Sequence, residues 1–205
     1  MSRKSTRQNG TRARIAAAAA RLMAEDGIDD FALAKRKAAR QLGATDAQAL
    51  PANDEIEAEL RAYRDLYEPH EHAERLTELR AIALDAMQAL AGFSPYLTGA
   101  VLRGTAGPYA AIELQLFPDS PKDVEIHLLD RNIPYATQEG RRYAGDRAHA
   151  VSMLSLEWQG TPLRLAVFDR RDERVALKSS QSGRVADRAG IAEVRALLRD
   201  AASST

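Results

Sequence analysis

The stretch LTGAVLRGTAGPYAAIELQLF, residues 97–117, carries the change of pattern on which the fold turns. Residues 97–102 read as one strand and 110–117 as another, with Ile112, Leu114 and Leu116 alternating along the second. The glycine-rich run from Gly99 to Gly107 joins them, and Pro118 stops the second strand. Downstream, Ser120-Pro121 opens a short helix over 121–131 with Val124 and Leu128 inward. Strands follow near 133–137, 151–158 and 163–168, the last two linked in hairpin style by Gln159-Gly160-Thr161. A helix over 191–201 closes the pattern.

Upstream the period is helical. Ile15, Ala19 and Leu22 make the stripe of a helix over 11–26 that stops at Gly27. Asp29 or Asp30 caps a second, over 31–42, with Phe31, Ala34, Ala38 and Leu42 in register and Gly43 as its stop. Asn53 caps a third, where Asp54, Glu55 and Glu57 suit the first turn and Ile56, Leu60, Tyr63 and Tyr67 form the stripe. Pro69 breaks it, and a fourth runs over 71–91 through Leu76, Leu79, Ala83, Met87 and Leu90. Short connections favour antiparallel packing. The expected architecture is α+β, N-terminal antiparallel helices followed by a small mixed β-sheet. It divides into a disordered basic tail (1–10), a helical region (11–92) and an α+β domain (93–205).

Composition narrows the function classes. With 205 residues, 45% hydrophobic and 28% charged, the chain is globular, and no apolar run reaches the 18 or so residues of a membrane span. Without cysteine it has no disulfide, no cysteine zinc site and no thiol nucleophile. No apolar segment follows Arg3, Lys4 and Arg7 in the manner of a secretory signal, so the expected location is cytoplasmic. The net charge of zero hides an asymmetry. Residues 1–43 hold ten Lys/Arg against four Asp/Glu, whereas 44–92 hold four against eleven. A basic module facing a polyanion and two helical segments attracting each other both fit that pattern.

The segment Gly99-Ala100-Val101-Leu102-Arg103-Gly104-Thr105, followed by Ala111-Ile112-Glu113-Leu114, resembles the signature of the nucleotidyltransferase superfamily, the DNA polymerase β-like fold. That signature is an apolar strand, Gly-Ser, three residues with Arg often last, Gly, about six residues, then Ser-Asp-x-Asp-apolar. The resemblance implies nucleotide binding at Gly99, Arg103, Gly104 and Thr105, and a catalytic carboxylate at Glu113. Small residues let backbone N–H groups approach a triphosphate, and carboxylates at i and i+2 hold magnesium with a third from a neighbouring strand. This chain departs from it. Ala100 replaces the serine, Ala111 the first carboxylate and Glu113 the second, and the strand expected to carry the third has Arg164 there. The resemblance therefore implies a degenerate member, with magnesium bound only where the site is active. Over nearly its whole length the chain is also similar to uncharacterised proteobacterial proteins labelled nucleotidyltransferase or UDP-N-acetylmuramate–alanine ligase. The ligase label finds no support in the sequence, which has no G-x-x-x-x-G-K-[ST] phosphate loop.

Other features carry less specific signals. Arg12, Arg14, Lys35, Arg36, Lys37 and Arg40 are candidate nucleic-acid contacts on the first two helices, or simply exposed helix faces. Residues 19–50 resemble the start of a TetR-type helix-turn-helix, but 46–51 lack basic residues and stop at Pro51, where the recognition helix belongs. His70-x-His72 reads as a solvated helix entrance rather than a metal site, because i and i+2 diverge on a helix. His127 and His149, the latter expected in a loop, have no Ser or Asp at triad spacing. Arg141, Arg142 and Tyr143 suit an RNA contact, whereas Trp158 reads as core. Tyr63 and Tyr67 on the acidic helices suit a protein partner or a second copy; oligomeric state stays open. Three function classes follow: a nucleotide- or polyanion-binding nucleotidyltransferase relative, a nucleic-acid-binding regulator or adaptor, and a protein-interaction module.

Overall fold

A computed structural model describes residues 2–28, 30–44, 50–67, 69–144, 147–176, 178 and 185–203. It divides into two compact units, Met1–Arg75 with Thr105–Tyr109, and Leu76–Gly104 with Ala110–Thr205. The border falls inside a helix, upstream of the 92/93 position that the change of period suggests, because α4 (Pro69–Ala89) continues through it.

The first unit is built on α1 (Ser2–Glu25), α2 (Phe31–Gln41) and α3 (Asn53–Tyr67). α1 begins at Ser2, not near residue 11. Its Arg, Lys and Gln residues are good helix formers, and they outweigh the weaker Thr6, Asn9 and Gly10. Asp30 caps α2, its Oδ1 accepting from the N–H groups of Ala32 at 2.7 Å and Leu33 at 3.1 Å. At α3 the Glu55 carboxylate accepts from the Ala52 N–H at 2.6 Å, so Ala52 stands at the cap and Asn53 is already helical. The core joins Ile15, Ala16, Ala19, Ala20 and Met23 of α1 to Ala34 and Ala38 of α2 and to Ile56 and Leu60 of α3. Small side chains at these contacts let the helix axes approach closely. Tyr67, expected on the inner stripe, is 65% exposed and rests against Tyr63 at 4.5 Å between ring centroids. The segment Thr105–Tyr109 is tied to α3 by Arg64, which is 3% exposed and donates through Nη1 to the Ala106 carbonyl at 2.6 Å. A buried guanidinium tolerates its position only when such acceptors are in place. The TetR-like turn over 45–49 and the alternative cap at Asp29 lie outside the described residues.

The second unit carries a five-stranded sheet in the order β1-β2-β5-β4-β3. The strands are β1 (Tyr96–Thr98), β2 (Ile112–Leu116), β3 (Tyr135–Ala144), β4 (Arg147–Trp158) and β5 (Thr161–Val167). β2 and β5 are parallel and the other neighbours antiparallel, so the sheet is mixed and the fold is α+β. The expected strand over 97–102 is not continuous. The backbone turns at Gly99, whose φ of +73° an L-residue rarely adopts, into the short helix α5 (Gly99–Arg103). Gly104 ends it at φ +75°, its N–H donating to the Ala100 carbonyl. α6 (Pro121–Asp130) follows β2, with the Ser120 N–H donating to Asp123 at 3.3 Å, and α7 (Ile191–Ser203) comes last.

Alternation gives the sheet two faces. One carries the buried apolar residues Leu97, Ile112, Leu114, Leu116, Leu154, Leu163 and Leu165, and runs out on β3 at the exposed Thr137 and Glu139. On the other, Phe117, Val151, Ala166 and Phe168 cluster with Tyr96, Met153 and Val175 at one end. Arg188 lies 4.8 Å above the Phe117 ring and donates to the Glu173 carbonyl at 2.8 Å, and the Tyr96 hydroxyl donates to the Glu173 carboxylate at 2.9 Å. That end of the face is closed. The other end, with Glu113, Arg164 and Ser155, is open. Trp158, expected in the core, is only half-buried at the end of β4, where its indole N–H donates to Asp85 at 2.8 Å.

Candidate functional site

Gly99 and Glu113 meet. A Cβ built on Gly99 would stand 2.8 Å from the Glu113 Cδ and 2.9 Å from its Oε2, closer than side-chain carbons come. The carboxylate therefore rests on bare backbone at the turn from β1 into α5. Thr98 and Glu113 are opposite each other on β1 and β2, and Arg164 and Ser155 continue the row across β5 and β4. Thr98 is buried, Glu113 half-buried, and Arg164 and Ser155 exposed.

The parallel pairing of β2 with β5 sets Arg164 directly beside Glu113, on the same face. Among the described residues, Glu113 and Arg164 nonetheless form no salt bridge with each other. The Glu113 side chain turns toward Gly99 instead. Arg103 is half-buried at the last residue of α5, one position before Gly104. α5 itself is held from α4. Arg80 donates Nε to the Val101 carbonyl at 3.3 Å and Nη2 to the Leu102 carbonyl at 3.2 Å, where a cation meets the negative end of the helix. Burial lowers the Arg80 pKa. Sequence reading passed over Arg80, although a cation four residues after Leu76 on an apolar stripe was a signal. Thr105 belongs to the first unit, where it is buried.

The metal implied by the resemblance does not fit these residues. Ala111, just ahead of β2, offers no donor, and the strand neighbour of Glu113 is a cation. Magnesium sheds water reluctantly and requires oxygen ligands in octahedral array, which one carboxylate beside an arginine does not provide. Among the described residues, no three His, Asp or Glu side chains gather as a metal site. His72 is buried in α4 and His70 exposed.

The basic candidates of the first unit are unequal. Arg12 is engaged with Glu55 through both Nε and Nη2, at 2.8 Å and 2.5 Å to Oε2. Lys37 pairs with Asp26 at 3.2 Å. Lys35 is partly buried, and burial lowers its pKa. Arg14, Arg36 and Arg40 are exposed. The Tyr63 hydroxyl donates to Glu25 at 2.7 Å, so this ring is not wholly available to a partner. His149 lies in β4 rather than in a loop, with Nδ1 3.4 Å from Asp172 Oδ2. His127 on α6 is 3.1 Å from the Arg131 guanidinium; burial and then that cation lower its pKa. Arg141, Arg142 and Tyr143 lie in β3, where the Tyr143 backbone pairs with Lys178. No helix among the described residues is long and apolar enough to cross a membrane. No protein-family model and no curated protein matches this chain.

Proposed function

We propose that this is a nucleotidyltransferase-like protein with a degenerate metal site, which binds a nucleotide or a related polyanion on the open half of its sheet. The observation that carries the reading is the seat of Glu113 on Gly99. Fourteen residues apart in sequence, they meet as the glycine and the second motif carboxylate of that superfamily would. The short helix α5 between β1 and β2, and the parallel strand β5 beside β2, support the same reading. Arg103 and Arg164 are the cations that phosphate would meet, and Glu113 is an acceptor for a sugar hydroxyl. The proposal stops at binding, because nucleotidyl transfer by two metals needs the carboxylates replaced here by Ala111 and Arg164. Titration of ATP or GTP with magnesium into the purified protein tests it, and no heat change at millimolar nucleotide would remove it.

A second reading rests on the exposed Arg14, Arg36 and Arg40 of the first unit. A nucleic-acid contact there predicts affinity that falls steeply with salt and that drops on reversing Arg36 and Arg40, whatever the base sequence. Absence of any binding to RNA or DNA at low salt in the unaltered protein would end it.

A further inference from the structure

The cation of this site is built into the protein: we propose that Arg164 occupies the place of the divalent metal, so that the site takes its phosphate ligand without magnesium. The inference rests on the nucleotide reading above and states how that ligand is held.

Four observations lead to it. β5 is parallel to β2, and the residue in register with Glu113 is Arg164, at the strand position where the nucleotidyltransferase resemblance implies a third carboxylate. The guanidinium is exposed, and among the described residues it forms no ion pair, even with the carboxylate on the adjacent strand. Glu113 is turned onto Gly99, while Arg164 keeps its exposed place beside it on the open half of the sheet. Ala111, two residues before Glu113, leaves no second oxygen ligand on that strand.

A divalent cation in a phosphate site neutralises oxygen charge and fixes the ligand's direction. An arginine does both through planar N–H donors that match two phosphate oxygens at once. It also makes the site hostile to the metal, because a magnesium ion seated on Glu113 would lie beside a fixed positive charge across neighbouring strands about 5 Å apart. Glu113 repels phosphate in turn. The ligand must therefore place its anionic part on Arg164 and a donor, such as a ribose hydroxyl, on Glu113. A nucleoside di- or triphosphate has both.

The test is calorimetric titration with ATP in excess EDTA and again in excess magnesium, with magnesium alone as a third run. The expected result is affinity for ATP that agrees within about twofold between the first two, and no heat from magnesium alone. Arg164→Ala should weaken ATP binding about tenfold or more in both buffers, while Arg164→Lys retains part of it. Because Arg164 is exposed, an unchanged circular dichroism spectrum and melting midpoint will show that the variants fold. The double variant Ala111→Asp with Arg164→Asp should acquire magnesium dependence. ATP binding at least about tenfold weaker in EDTA would overturn the inference and leave the nucleotide reading standing. ATP binding that Arg164→Ala leaves unchanged would overturn it equally. Absence of ATP binding in both buffers would instead remove the nucleotide reading itself.

Discussion

Gly99→Ala is the sharpest perturbation of the site, and two separable costs set its size. An L-residue at φ +73° stands in the left-handed region, at about 1–2 kcal/mol. The new methyl would also fall 2.8 Å from the Glu113 Cδ, and the carboxylate has to swing away. Because Glu113 is half-exposed and the contact is with the end of its side chain, that movement costs about 0.5–1 kcal/mol, the scale of an off-rotamer torsion. Together they predict a loss of about 2 kcal/mol, or a melting midpoint lower by roughly 6 °C. Thermal melts followed by circular dichroism measure it, and Gly99→Ala combined with Glu113→Ala separates the parts. The double variant should recover the side-chain share and keep the backbone share, a coupling of about 0.5–1 kcal/mol. An unchanged midpoint in Gly99→Ala would refute the strained turn. Strict additivity of the two substitutions would refute the contact.

Arg64→Met should destabilise the first unit by about 2–3 kcal/mol, read as a lower urea midpoint, because the buried Ala106 carbonyl loses a charged donor. Glu55 is held below the usual carboxylate range by Arg12 first and by the Ala52 N–H second. A depressed carboxylate stabilises the fold above its unfolded pKa of about 4.3, and that contribution disappears as pH falls through the lower folded value. Denaturation series from pH 6 down to about pH 3 should therefore fall less steeply in Glu55→Gln than in the natural chain. Trp158 is the single tryptophan, and its indole N–H is bonded to Asp85. Asp85→Ala should alter its fluorescence emission maximum and cost about 1 kcal/mol, measured by denaturation.

Local chemistry was the legible part of this fold. Asp30 capping α2 and the stops at Gly27 and Gly43 depend on neighbours in sequence, and the structure places the helix ends there. α5 was hidden because five residues make less than two turns, too few to display a period, and Val101 and Leu102 read equally well as strand. β3 was expected over 133–137 and runs over Tyr135–Ala144, since Gln138, Glu139 and Arg141 are exposed and show no apolar alternation. Pairing with β4 holds that part extended. At the site, the adjacency of Glu113 and Arg164 followed from strand alternation. Their failure to pair did not, because it depends on Gly99 offering the carboxylate a nearer seat.

The excursion of Thr105–Tyr109 into the first unit makes the chain pass from one unit to the other three times, after residues 75, 104 and 109. The N-terminal helices are thus not a module that a cut near residue 75 would release whole. While the chain is being made, Arg64 emerges 42 residues before the carbonyl that accepts its Nη1 proton. Through that interval the inner surface of α3 carries a guanidinium whose permanent acceptor has yet to be synthesised. The first unit completes its interior only after β1 and α5 have left the ribosome, which makes the two units a single heritable piece. Evolution can exchange neither of them by simple end-to-end fusion.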